Sequence, residues 1–265
     1  LYPLVYTLII SFFNNTLFMK APEFFGIGQY KALLEDRYFV GSISQTLVWT
    51  FGSVFFQFTL GFAMALLLHQ QFVKGKTVLR IFLMVPWVLP SVIGSAVWKW
   101  MYNYDYGLIN YALSLFGVSP VNWLNDPHYN LAALIIYGIW SMLPFTIILL
   151  LSGFQNINPQ YYTAARIDGA SSGRIFRRIT VPLLAPTLGL TMIVNVISAS
   201  KVFSELFPLF NGNPGSAYSL YNVVYYLFDM FYKQWQLGPA AASAVVLFVI
   251  VLIFTMLQLF IQRKW

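Results

Sequence analysis

Residues 131–154 read LAALIIYGIWSMLPFTIILLLSGF, 24 positions without one charged side chain. A helix that crosses a bilayer needs roughly 20 mostly apolar residues. The stretch is long enough, and it lacks the every-second-residue polarity of a membrane barrel strand. Working outward, similar runs cover about 1–18, 44–68, 77–102, 181–210 and 239–261. The expectation is all-α: a polytopic membrane helical bundle of about six transmembrane helices, one domain over 1–265. Composition agrees, with 59% hydrophobic and only 9% charged residues and a mean hydropathy of +0.70. Soluble domains carry about 25% charged residues and could not hide this much apolar surface. Cysteine is absent, which excludes a disulfide framework and thiolate metal ligation. Leu1 lies inside an apolar run with no basic flank, so the N-terminus reads as trimmed rather than as a signal peptide.

Basic residues orient the bundle. With the first span running outward, the inner segments hold Lys74, Lys76, Arg80, Arg166, Arg174, Arg177, Arg178, Arg263 and Lys264, and the outer ones Lys20, Lys31, Arg37 and Lys233: nine against four. The net charge of +7 is therefore a positive-inside signal, not a nucleic-acid patch. The outer segments 19–43 and 211–238 contain apolar residues at helical spacing (27–39) and an aromatic-rich run (219–235). These predict helices in the headgroup layer, serving as membrane anchors or as a landing surface for an external partner.

Directly after 131–154 the chain reads QNINPQYYTAARIDGASSGRIFRRITVP over 155–182. Asn158-Pro159 is a side-chain cap followed by proline at the first helical position. Asp168-Gly169 ends that helix after about two and a half turns. Ser171 is placed to cap a second short helix over 172–180. The segment 156–181 thus predicts two short helices joined at a tight corner and projecting into the cytoplasm. Ala164, Ala165, Gly169 and Ala170 are small enough to let another surface approach, Phe176 and Ile179 offer apolar anchors, and Arg174, Arg177 and Arg178 suit an acidic partner or anionic lipid.

Thr163-Ala164-Ala165-Arg166-Ile167-Asp168-Gly169-Ala170, followed by Phe176, Ile179, Pro182 and Pro186, resembles the coupling-helix motif of type I ABC importer permeases. Tyr2-Pro3, Gly26-Ile27-Gly28-Gln29-Tyr30, Pro86-Trp87-Val88-Leu89-Pro90, Asn122-Trp123-Leu124, Gly212-Asn213-Pro214-Gly215 and 240–248 are similar to the carbohydrate-uptake branch, which holds the larger maltose-permease subunit and the glycerol-phosphate permease. The resemblance implies that Thr163, Ala164, Ala165, Asp168, Gly169, Ala170, Arg174 and Phe176 dock an ATPase subunit. Thr163 stands where the family usually has Glu, so any ion pair made there is absent or replaced. It also implies a second homologous permease, an ATP-binding subunit dimer that supplies ATP and magnesium, an extracytoplasmic solute-binding protein, and a place in the bacterial cytoplasmic membrane. By the same resemblance, Ser141, Met142 and Phe145 in the fourth span and Asn195, Ala199 and Val202 in the fifth line the path of a di- or oligosaccharide.

Read from the residues alone, Asn195 at mid-span either bonds a neighbouring helix or faces a pathway. Lys201 and Glu205 lie one turn apart if the helix continues, close enough to pair. No catalytic constellation and no cofactor of the chain's own is expected. The Gly-Lys-Thr at 75–77 lacks the earlier glycine of a phosphate loop, position 70 being Gln70, and His69 and His128 are isolated, so no metal site is indicated. An ion-coupled carrier, the rival reading, needs a carboxylate deep in a span, and Glu205 sits near an end.

Overall fold

A computed structural model describes residues 1–19, 21–70, 72, 74–215 and 218–262; Lys20, Arg263 and Lys264, which entered the orientation reading, lie outside them. Among the described residues thirteen α-helices follow one another, beginning with α1 (Tyr2–Ile10), α2 (Gly28–Glu35), α3 (Arg37–His69), α4 (Lys76–Val88), α5 (Ser91–Met101), α6 (Leu108–Ser114) and α7 (Asn130–Gln155). They continue as α8 (Pro159–Ile167), α9 (Ser172–Ile175), α10 (Val181–Ser200), α11 (Leu206–Leu209), α12 (Val223–Phe228) and α13 (Leu237–Gln262). Strands Phe13–Asn14 and Glu23–Phe24 form one small antiparallel ribbon. Among the described residues, four helical stretches are long and apolar enough to cross a membrane, and a bent pair makes a fifth.

Three sequence expectations change. The first span ends early, because α1 stops at Ile10. Ser11 turns its hydroxyl onto the Leu8 carbonyl at 2.6 Å, and the following residues pair with Phe24 and with the start of α13, where Leu237 N–H meets the Asn15 carbonyl at 2.9 Å. The third span is broken: α4 and α5 meet at 95°. Leu89, which precedes Pro90, is extended at φ −67°, ψ 132°, the conformation that a following proline ring enforces. The fifth span ends at Ser200, not near 210; the chain leaves the helix at Lys201 (φ −108°, ψ 24°) and makes the short turn α11. At its other end this span begins without a separate short helix, since Ser172–Ser200 runs on through a π-helical turn at Phe176–Thr180. Ser171 forms no side-chain cap there.

α7 is the central element, packed against α3, α4 and α10. One apolar core joins Trp49, Trp98, Tyr102, Tyr137, Leu206, Leu209, Tyr225 and Tyr226; a second, toward the loop end, joins Ala65, Leu68, Ile147, Leu150, Phe154 and Leu184. The aromatic run 219–235 contributes to the first core: Tyr225 and Tyr226 are buried. Tyr226 donates to Asp36 at 2.8 Å, and Asn222 caps α12 by accepting from Tyr225 N–H at 2.8 Å. Burial, with Asp229 beside it, pushes the Tyr225 phenol up to about 12. α13 is buried or partly buried over 237–247 and leaves exposed apolar residues beyond, among them Phe248, Ile253, Met256 and Leu257, as a helix facing lipid or another membrane chain does.

Candidate functional site

At the middle of the bundle α3, α7 and the end of α10 separate around a small recess. It is lined by Trp49 and Gln57, by Tyr137, Gly138, Ser141 and Met142, and by Ser198, Ala199, Val202 and Glu205, and its volume is about 50 Å³. Four of the six positions expected on the path, Ser141, Met142, Ala199 and Val202, come together here. Phe145 does not: its ring stacks on Trp87 with centroids 5.1 Å apart and planes at 16°. Asn195 does not either. It is fully buried and donates to Thr146 Oγ1 at 3.0 Å, so the mid-span amide bonds the neighbouring helix α7.

The wall contains residues the sequence reading passed over. Trp49 donates its indole N–H to the Ala199 carbonyl at 2.9 Å, fixing α3 against α10. Gln57, 3% exposed, donates to the Gly138 carbonyl at 3.1 Å, while its Oε1 is buried without a partner. An unmatched buried acceptor beside a recess is costly unless water or a ligand meets it. Glu205 reaches the recess because the helix has already ended; its backbone carbonyl accepts from Ser95 at 3.0 Å. Burial pushes its carboxyl up from the ordinary value. Lys201 and Glu205, off the helix, are not an ion pair. A polar residue inside an apolar run marks Gln57 in the sequence; nothing local marks Trp49 or Tyr137 among so many aromatics.

Within 156–181 the stretch 158–174 projects outward, while Ile157, Ile175 and Thr180 are buried against the bundle. Asn158 Oδ1 accepts from Gln160 N–H at 2.9 Å, with Pro159 at the first helical position. α8 closes with Gly169 at φ +71°, and Ala170 N–H returns to the Ala165 carbonyl at 2.9 Å, the closing bond that a left-handed glycine permits. Tyr162 tucks under the loop and its hydroxyl accepts from Thr180 at 3.3 Å. Thr163, Ala164, Asp168, Gly169 and Arg174 are exposed, and Ala165 and Ala170 partly so. Phe176 is not a free anchor: half-buried, it packs edge-on against Phe62 of α3. The outward apolar group is Ile167, 81% exposed at the tip. Beside it Ser171, Gly173, Arg174, Arg177 and Arg178 border an open basic cleft.

The membrane-crossing helices enclose a small recess of mostly apolar surface that includes Gln57, Ser141, Ser198 and Glu205, and a basic cleft lies at the loop end. Residues 57–265 match the family model described as binding-protein-dependent transport system inner membrane component, so the chain belongs to that family of multi-pass ABC importer permeases. The trehalose/maltose transport system permease protein MalF of Thermococcus litoralis is 38% identical over 98% of this chain and 87% of its own length. The sulfoquinovosyl glycerol transport system permease protein SmoG of Agrobacterium fabrum is 31% identical over 99% of this chain and 84% of its own. A chain in the crystal structure of a bacterial ABC transporter involved in the import of the acidic polysaccharide alginate superposes with a TM-score of 0.84 at 22% identity, covering 100% of this chain and 90% of that one; it shares the fold.

Proposed function

We propose that this chain forms, with a second homologous permease, the path of a di- or oligosaccharide through the inner membrane, the solute being delivered by an extracytoplasmic binding protein. The carrying observation is the recess between α3, α7 and α10. An unmatched amide oxygen (Gln57), a hydroxyl (Ser141) and two amphipathic rings (Trp49, Tyr137) meet there. Amide and hydroxyl groups bond sugar hydroxyls, and aromatic faces receive sugar C–H faces. The lining holds one carboxylate and no cation, which favours a neutral solute over a phosphate ester. Small-molecule sites run to roughly 300 Å³ and more, so about 50 Å³ is only a small part of a site, which the second permease completes in this reading.

The loop 156–181 is the coupling element in this reading. Ala164, Ala165, Gly169 and Ala170 let a cleft of the ATPase subunit close over α8, Ile167 supplies the apolar contact, and Thr163 contributes a hydroxyl where a charge would otherwise stand. ATP and magnesium are held by the two ATPase subunits. Closure of that pair draws the loops of the two permeases together and swings the bundle outward. Only tighter binding of ATP to the closed state can drive the change. The test is ATP hydrolysis by the reconstituted complex with its binding protein and a panel of maltose, trehalose and maltotriose. Stimulation by a sugar supports the reading; none by any sugar, with uptake also absent, rejects it.

A further inference from the structure

Asn122-Trp123-Leu124 and Gly212-Asn213-Pro214-Gly215, far apart in the chain, converge on one open cleft that the central recess does not include. The cleft has a volume of about 430 Å³. Its wall carries five carboxamides, Asn103, Asn122, Asn125, Asn211 and Asn213, together with Tyr104 and a single charge of each sign, Lys99 and Asp105. We propose that this cleft is a second, outer binding site for a neutral saccharide, a mouth that receives the sugar before the central recess does. The proposal rests on the transport reading above.

Three amides are held by their oxygens. Asn103 Oδ1 accepts from the N–H groups of Asp105 and Tyr106 at 3.0 and 3.2 Å. Asn122 Oδ1 accepts from Asn125 Nδ2 at 3.2 Å, and Asn211 Oδ1 accepts from Lys99 Nζ. Each bond orients an amide and leaves its Nδ2 as a donor, the preorganised array that suits a row of sugar hydroxyls. Lys99 and Asp105 balance, so the wall selects neither an anion nor a cation. Tyr104, half exposed, offers a ring face for a sugar C–H surface.

The cleft is placed for handover. Tyr102 forms part of its wall and packs on Trp98 at 5.3 Å, and Trp98 meets Tyr137 edge-on at 6.0 Å. Tyr137 lines the central recess. The segment after α10 touches both chambers, Glu205 at the inner one and Leu209 and Phe210 at the outer. A partition of three rings separates the two.

The chain has no cysteine, so Asn213→Cys and Asn122→Cys each introduce one unique thiol. The experiment uses the full importer in proteoliposomes, with cysteine-free partner subunits and no binding protein. A membrane-impermeant maleimide is added with maltose, trehalose or maltotriose. A transported sugar is expected to slow labelling at both positions by roughly threefold or more at saturation, while Lys31→Cys, exposed on α2, which contributes nothing to the cleft wall, labels at an unchanged rate. Uptake is measured on parallel proteoliposomes of the same variants supplied with the binding protein. Unchanged labelling with a sugar that is taken up overturns the outer site alone; absence of both protection and uptake overturns the transport reading with it. Protection by the sugar-free binding protein, and not by sugar, identifies the cleft as a protein dock and likewise overturns the proposal.

Discussion

The indole N–H of Trp49 donates to the Ala199 carbonyl across 2.9 Å, which locks α3 to α10 at the level of the central recess. The far edge of the same ring lies over Gly138 of α7, where an added Cβ would stand 2.7 Å from Trp49 Cη2. Gly138→Ala therefore forces the ring to tilt, and the tilt lengthens the bond to Ala199. Uptake is expected to fall about tenfold while the protein still inserts, since overpacking of this size costs about 1–3 kcal/mol. Wild-type uptake by Gly138→Ala would show that this ring position is not part of the path.

Asn195 bonds Thr146 and does not face the recess. Asn195→Leu removes the interhelical bond and leaves the Thr146 hydroxyl on the Met142 carbonyl of its own helix, 3.3 Å away; loss of an interhelical bond of about 1 kcal/mol should lower the Tm by a few degrees. The half-saturating sugar concentration should not move. A shift in that constant with an unchanged Tm would return Asn195 to the pathway.

Gly169 turns the corner after α8 at φ +71°, and an added Cβ meets nothing within 4 Å. Gly169→Ala meets only the left-handed penalty of about 1–2 kcal/mol and should keep much of its transport. If the proposed coupling role holds, Gly169→Arg adds bulk to the exposed corner and should abolish sugar-stimulated ATP hydrolysis while insertion stays normal. Unimpaired uptake by the arginine variant would refute docking at this corner.

The spans along α3, α7 and α13 were legible because each is an uninterrupted apolar run, a signal that needs no tertiary context. The corner at 158–170 was legible because a cap, a proline and a left-handed glycine are local devices. The places where the reading changed depend on partners distant in sequence. The Pro90 break was visible as a proline, but its 95° bend is set by what α5 packs on. After the early end of α10, the Glu205 carbonyl is taken up by the Ser95 hydroxyl, a contact made from another helix. Phe176 looked like an exposed anchor because only Phe62, more than a hundred residues earlier, turns it inward.

Glu205 lies beyond the end of α10, and burial raises its carboxyl above the ordinary value. For a folded pKa above the unfolded one, the stabilising contribution is complete below the unfolded pKa and is lost as pH rises through the folded one. Thermal unfolding of Glu205→Gln should thus exceed the wild type at neutral pH, and the gap should close as pH falls toward the ordinary carboxylate range. A gap of constant size over that window would mean that the charge itself is not what the variant relieves.

Helix α13 is held to α10 by two amides: Gln258 Nε2 donates to the Gly189 carbonyl at 2.8 Å and Gln262 Nε2 to the Ala185 carbonyl at 3.2 Å. Apolar packing cannot discriminate here, because lipid tails are as apolar as the helix. Gly189 is small for this reason: a Cβ would fall 1.1 Å from Gln262 Nε2. Gly189→Ala must therefore eject the Gln262 side chain and lower thermal stability by about 1 kcal/mol. Gln262→Ala loses the same bond but opens the space. In the double variant Gly189→Ala with Gln262→Ala the clash is gone, so its stability should match that of Gln262→Ala alone, a coupling close to the full cost of the glycine change. Strictly additive losses in the cycle, measured by thermal unfolding in detergent, would show that the two positions do not meet and that α13 is held elsewhere.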